Sequence, residues 1–282
     1  MSEQRLAECD LGLTLGRSVY KTRLKRLQGK LRRIELAYKF AEARAVIVIE
    51  GWDAVGKGGV IRRLTSVLDP RGYKVWPIAA PSDAERAEHY LQRFWRKLPR
   101  KGTWSLFDRS WYGRVLVERV EGLAAPAAWR RAYGEINAFE RMLADDDVRI
   151  VKLFLHVSED EQRRRLRDRM SDPLERWKMS CDDLRNLARR DAYIGAIDDM
   201  LRRTDTREAP WHVVPFENKR YGRVSAIERI VERLAAGMDL APPPLDAQVL
   251  AAAGDLLPPK LRGLAAHAKS RRKRSASGDV AG

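Results

Sequence analysis

The sequence predicts an α/β protein built on a mostly parallel, five-stranded sheet, on three observations. Short apolar, β-branched runs recur at 44–51, 73–81, 103–108, 148–157 and 211–216. Such runs suit strands buried on both faces. Stretches with apolar residues three and four apart separate them, as amphipathic helices require. Strand–helix alternation over 44–240 therefore calls for crossover connections and one layered domain.

The elements follow in order. Residues 17–44 predict a helix, with Tyr20, Leu24, Leu27, Leu31, Ile34 and Tyr38 in one apolar stripe. Arg17, Lys21, Arg23, Lys25, Arg26, Lys30, Arg32 and Arg33 cover its other faces. RAVIVIEG (44–51) is the first strand, followed by a helix over 57–68 that closes before Asp69-Pro70. The second strand is YKVWPIAAP (73–81), and Ser82 with Glu85 forms a capping box for a helix to about Lys97. TWSLFD (103–108) is the third strand, leading into a helical stretch from about Trp111. A helix over 126–145 places Trp129, Tyr133, Ile136, Phe139 and Met142 on its apolar face. After the fourth strand, Ser158 and Glu161 make a second capping box for a very basic helix. A helix over 181–203, the strand WHVVPF and a helix over 219–237 complete the pattern. The expected organisation is an N-terminal segment (1–16), a domain over 17–240, and a Pro-containing extension with a disordered basic tail over 241–282.

Bulk properties narrow the function. No apolar run reaches the ~20 residues of a membrane span, and the first thirty residues are polar. With Cys9 and Cys181 as the two cysteines, a disulfide framework is not expected, and a reducing cytoplasm is the simpler setting. The net charge is +16, of which the tail beyond residue 242 supplies +4. A body this basic predicts a polyanionic partner or a phosphate-rich substrate. The four histidines show no metal spacing, and no nucleophile–base set is apparent.

Phosphate chemistry is written in IEGWDAVGKGGV (49–60). Gly51, Gly56 and Lys57 match G-x-x-x-x-G-K-[ST] between a strand and a helix, but Gly58 stands where a hydroxyl would reach Mg²⁺. Gly58 and Gly59 extend the cradle, and the helix N-terminus adds a positive dipole end. Asp53 lies inside the loop, where a carboxylate repels phosphate unless a cation intervenes. It is thus a candidate to bind Mg²⁺ or orient an acceptor, or else a helix-capping aspartate. Asp108 ends the third strand as a second candidate metal ligand, and Arg109 follows as a phosphate contact or an ion-pair partner. Residues 161–180 predict an arginine-rich lid, with Arg165, Arg169 and Lys178 as phosphate contacts; Arg114 is a further candidate. Trp111 and Trp177 are candidates to stack on a base.

At these residues the chain resembles the polyphosphate kinase 2 family. The similarity spans about 17–237 and rests on EGWDAVGKGG, QRFWRKLP, FDRSWYGRVLVERVEG, INAFERML, DPLERWKMS and TDTREAPWHVV. It implies a P-loop kinase fold with a helical lid, and phosphoryl exchange between inorganic polyphosphate and a nucleotide with Mg²⁺. It also implies functional roles for Asp53, Lys57, Asp108, Arg109, the lid arginines and Lys178. Gly58 is typical of the family. GRVLVERVEG is most similar to the active half of polyphosphate:AMP phosphotransferases, which implies a monophosphate acceptor. The single copy of the domain is instead similar to members that phosphorylate diphosphates. A homo-oligomer is expected; nucleic acid and membrane partners are not. The alternatives are an ATP-dependent nucleoside monophosphate kinase and a non-catalytic P-loop protein that binds nucleic acid or another polyanion.

Overall fold

The computed structural model describes residues 6–253 together with Leu256 and Pro258. Its helices are α1 (Arg17–Phe40), α2 (Lys57–Thr65), α3 (Asp83–Ala87), α4 (Gln92–Trp95), α5 (Val117–Val120), α6 (Pro126–Asp145), α7 (Glu159–Ser171), α8 (Cys181–Ala188), α9 (Arg190–Thr204), α10 (Lys219–Ala235) and α11 (Ala247–Ala252). The strands are β1 (Arg44–Gly51), β2 (Tyr73–Pro77), β3 (Trp104–Asp108), β4 (Val148–His156) and β5 (Trp211–Pro215), with short 3-10 turns at Leu6–Glu8, Trp111–Arg114 and Arg176–Lys178. By its contacts the chain divides into Met1–Leu240 and Ala241–Gly282, and all five strands belong to the first unit.

Every strand pairing is parallel, in the order β2-β3-β1-β4-β5. The central strand β1 is buried on both faces from Ala45 to Ile49, as its continuous apolar run requires. From β1 the chain crosses to β2 on one side of it; from β3 it crosses to β4 on the other. Right-handed crossovers in opposite directions put their helices on opposite faces of the sheet. Accordingly α1, α2 and α10 pack together on one face, while α6 covers β4 from the other and carries α5 and α9. The three-layer architecture is thus the predicted one. It also places the exits of β1 and β3 side by side, with Ile49 paired to Asp108, at the crevice where open α/β sheets bind ligands.

Several elements depart from expectation. The helix expected over 82–97 is two short ones. Ser82 and Glu85 do form the capping box, but Glu88 turns extended (φ −99°, ψ 167°). That turn lets Leu91 and Phe94 enter the core, where Phe94 meets Trp111 edge-on at 5.7 Å. The helix expected over 181–203 breaks at Arg189, because Arg190 is drawn inward. Its guanidinium donates to Gln162 and to the Val157 carbonyl and lies 3.9 Å over the Trp52 ring. Only half of the second capping box forms: Ser158 Oγ accepts from Glu161 N at 3.2 Å, while the Glu161 carboxylate pairs with Arg164 and Arg165. On α6, Met142 faces out rather than in. Cys9 and Cys181 are both free, and no helix among the described residues is long and apolar enough to cross a membrane. The basic run KSRRKR lies outside the described residues.

A buried polar network stands behind the site, between β4, α6 and the end of α9. Lys152 Nζ donates to Glu140 Oε2 at 2.7 Å, to Tyr112 Oη at 2.9 Å and to the Thr204 carbonyl at 2.7 Å. Trp111 Nε1 and Tyr112 Oη both donate to Glu140 Oε1, at 3.0 and 2.7 Å. Trp111 is therefore spent on the core at 1% exposure and cannot stack on a base, which corrects that expectation. Trp177, by contrast, is 75% exposed.

Candidate active site

The loop between β1 and α2 begins with a glycine because nothing larger fits. Gly51 has φ +142°, and a Cβ there would come within 2.5 Å of the Leu155 carbonyl. Gly56, at φ +114°, makes the left-handed turn that starts α2. Between them Trp52 is pinned into the fold: its Nε1 donates to His156 Nδ1 at 2.9 Å and its ring lies under Arg190. Burial, and then the charge of Arg190, push His156 down to about 4 from 6.5, so it accepts as a neutral ring. The unfolded chain takes up this proton near pH 6.5 and the folded chain only near pH 4. Stability therefore falls as pH drops through that window, by up to ~3 kcal/mol from this residue. Urea unfolding of a His156→Asn variant should show a shallower loss of stability between those pH values than the unmodified chain.

Lys57 opens α2 and curls back, its Nζ donating to the Gly51 carbonyl at 2.9 Å and the Trp52 carbonyl at 3.2 Å. Burial pulls its pKa down, as does Arg109, against Asp108, Asp53 and Glu50. Asp53 faces it across the loop. Burial pushes the Asp53 carboxyl up, but Lys57, Arg109 and a hydrogen bond from Asn186 outweigh this and hold it below the usual carboxylate range. Its Oδ1 receives Arg109 Nη2 at 2.6 Å and its Oδ2 receives Asn186 Nδ2 at 2.9 Å. Arg109 reaches it from a strained backbone (φ +64°), anchored by its own N–H on the Ile49 carbonyl at 3.1 Å. Ser110 Oγ then donates to the buried Glu50 carboxylate at 2.7 Å, tying the end of β1 to the turn after β3.

Of these groups, Asp53, Lys57 and Arg109 share one open cavity of about 750 Å³. Asp53, Gly56, Lys57, Gly58, Gly59, Asp108 and Arg109 line one wall. The predicted lid lines the other with Arg169, Asp172, Glu175 and Lys178, and Arg62, Lys219 and Arg223 extend the basic edge. Arg169 comes within 3.7 Å of Asp183, and Lys178 pairs with Glu175 at 2.6 Å. Arg165 also borders the cavity but is only 3% exposed. Its guanidinium donates to the carbonyls of Val55, Phe216 and Glu217 at 2.6, 2.7 and 2.9 Å, bracing the loop from beneath. Arg114 lies outside this lining; it pairs with Glu118 at 3.0 Å and covers the Tyr90 ring. Gly51 likewise packs on Leu155 rather than lining this cavity.

Sequence reasoning missed Arg62, Lys219, Arg223, Glu50, Ser110, Asn186 and Tyr193. Glu50 was the most visible of them, as a carboxylate ending an otherwise apolar strand. Nothing local marks Asn186, which reaches Asp53 across 133 positions.

As a metal site, the loop-side wall of the cavity offers two carboxylates, Asp53 and Asp108. Among the described residues no cluster of three or more His, Cys, Asp or Glu side chains could hold an ion. Two oxygen donors beside a phosphate cradle suit Mg²⁺, which keeps several waters and takes its remaining ligands from substrate phosphates.

A strand–loop–helix cradle, an acid at the neighbouring strand end and an arginine-rich wall describe a kinase-like site. The family model described as Polyphosphate kinase 2 matches residues 14–239, most of the chain. The chain belongs to the polyphosphate kinase 2 family. Within that family it is 45% identical over 231 residues to the polyphosphate:AMP phosphotransferase of Pseudomonas aeruginosa, covering 82% of this chain and 47% of the relative. The chain thus spans about half the length of that relative. It is 41% identical over 215 residues to ADP-polyphosphate phosphotransferase 3 of Rhizobium meliloti, covering 76% of each. The crystal structure of polyphosphate kinase 2 from Arthrobacter aurescens TC1 superposes with a TM-score of 0.81 at 32% identity, over 87% of this chain and 90% of that one. The polyphosphate kinase 2 fold seen there is the P-loop kinase architecture described above.

Proposed function

We propose that this polyphosphate kinase 2 protein transfers a phosphoryl group between inorganic polyphosphate and a nucleoside mono- or diphosphate, with Mg²⁺. The observation that carries this reading is the Asp53 carboxylate inside the phosphate loop, paired with Arg109 at 2.6 Å in the cavity that Lys57 and Asp108 share. A site that merely gripped a polyanion would gain nothing from two carboxylates among its phosphates. Phosphate-to-phosphate transfer needs them to position metal and acceptor. The curated relatives support it through their names, which specify polyphosphate with AMP or ADP.

In the proposed reaction a terminal phosphate oxygen of the nucleotide attacks the end phosphorus of polyphosphate in line. The new P–O bond forms as the bridging P–O bond breaks, and the chain leaves one phosphate shorter. Lys57 and the N–H groups at the start of α2 hold the transferring group. Bound Mg²⁺ would neutralise charge on the oxygens flanking it, held by Asp53 and Asp108. Arg109 and the lid residues Arg169 and Lys178 offset charge that develops in the transition state. Arg62, Lys219 and Arg223 line the path for the rest of the polyphosphate, while Arg165 and Arg114 act as supports. The protein is proposed to act in the cytoplasm as a homo-oligomer.

Purified chain is incubated with polyphosphate, Mg²⁺ and each of AMP, ADP, GMP and GDP, and the products are separated by chromatography. Phosphorylated nucleotide should form only when polyphosphate is supplied. Full activity with ATP as the sole donor would make it an ordinary monophosphate kinase and sink the reading. Because the bound chain displaces counterions, KM for polyphosphate should rise at least about tenfold between ~50 and ~200 mM salt. The same assay across a salt series checks this.

A further inference from the structure

Asp53 occupies a loop that does little to orient it. The next residue, Ala54, has a positive φ of 60°, and the carboxylate is held by two long-range donors. One of them, Arg109, has a side chain 52% exposed in the cavity and stands ready to turn towards an arriving phosphate. The other, Asn186, sits on α8, the helix that follows the lid segment.

The orientation of the Asn186 amide follows from chemistry. An ionised carboxylate only accepts hydrogen bonds, so Nδ2 must face Asp53 Oδ2 at 2.9 Å. The amide oxygen then faces Tyr193 Oη at 2.9 Å, and the tyrosine must donate. Tyr193, on α9, is 8% exposed, so its ring is a fixed post. Helix α8 is itself pinned. Arg185 and Arg189, flanking Asn186, pair with Glu121 at 3.2 and 3.4 Å, and Arg189 also donates to the Val120 carbonyl at 3.1 Å. At its start Ser180 and Asp183 form a capping box, and Asp183 faces Arg169 of the lid.

We infer that Asn186 is a positioning residue for phosphoryl transfer, held by Tyr193, that fixes the Asp53 carboxylate and ties its orientation to α8, the helix that follows the lid. When Arg109 swings to phosphate, the Asn186 contact is the one that keeps Asp53 aimed. The chain Tyr193–Asn186–Asp53 then carries the position of α8 to the reacting centre. This inference rests on the reading of Asp53 given above.

The test uses the full chain with polyphosphate and the best nucleotide acceptor. Asn186→Ala and Tyr193→Phe should each lower kcat by about 10- to 100-fold, the usual cost of losing a residue that orients a ligand-bearing group. KM for both substrates should stay within about threefold, and polyphosphate affinity measured by calorimetry should be unchanged. Because the two residues act in series, the double variant should fall no further than the weaker single variant. Tyr193→Phe keeps the buried ring and carries the test should Asn186→Ala fail to fold, which thermal unfolding reports. Wild-type kcat in both single variants, additive losses in the double, or a fall in polyphosphate affinity matching the fall in kcat each overturn the inference. Asp53→Asn separates the two levels. If it retains full activity, the reading of the site itself fails; if it is inactive while Asn186→Ala and Tyr193→Phe are not, only the positioning role falls.

Discussion

Lys57→Ala should lower phosphoryl transfer by about three orders of magnitude or more while leaving the protein folded. The ammonium bonds the Gly51 and Trp52 carbonyls and faces Asp53, Asp108 and Glu50 in a half-buried setting. A fixed charge in a site from which water is partly excluded stabilises a transition state far more than it would in water. Three orders correspond to about 4 kcal/mol of barrier. The fold should survive because Nζ bonds only loop carbonyls, while Val60, Ile61 and Leu64 of α2 supply its attachment to the core. Lys57→Arg should not restore the rate, since a planar guanidinium cannot take the place of a compact ammonium under the loop. Steady-state rates with circular dichroism as the folding control check this. Persisting nucleotide phosphorylation in Lys57→Ala would remove the loop from the mechanism.

The second large effect concerns stability. Lys152→Met should destabilise the protein by about 3–5 kcal/mol, because it strands the Glu140 carboxylate in the core without its cation. The two side chains are 0% and 1% exposed and 2.7 Å apart. Burial pulls the Lys152 pKa down, and Glu140 opposes that shift through charge and hydrogen bond. The unfolding midpoint should fall by roughly 10 °C. A Lys152→Met/Glu140→Leu double variant should recover a substantial part of the loss, since an apolar pair of similar volume carries no desolvation penalty. If the single variant melts within a degree or two of the unmodified chain, the pair is not ionised as described. Because Trp111 and Tyr112 hang from the same carboxylate, the single variant should also loosen the turn that presents Asp108 and Arg109.

Where the sequence was readable, a local rule carried the reading. β1 and β4 were legible because strands covered on both faces need unbroken apolar runs. The loop was legible because Gly51 and Gly56 adopt backbone conformations that side chains oppose, so the glycine spacing reports geometry directly. Asp53, Lys57, Asp108 and Arg109 do share one cavity, since parallel pairing of β1 with β3 forces their exits together. Residues that act over long range were not legible. Asn186 reads as one polar residue among many on an amphipathic helix. Arg165 reads as one of seven basic groups, and only burial under the loop separates it from Arg169. The break at Arg189 was hidden because helical periodicity continues across it, while a buried guanidinium at Arg190 dictates the turn.

Strand–helix order, the phosphate loop and its in-loop carboxylate are local properties of the chain, because each depends on neighbouring residues or on backbone freedom. Tertiary structure alone decided which charges are free to meet phosphate. Arg165, Arg190 and Lys152 are taken up by buried partners, whereas Lys57, Arg109 and Arg169 face the cavity. A charge can meet substrate only where its side chain borders the cavity instead of being spent on buried partners, and packing across the fold sets which ones do.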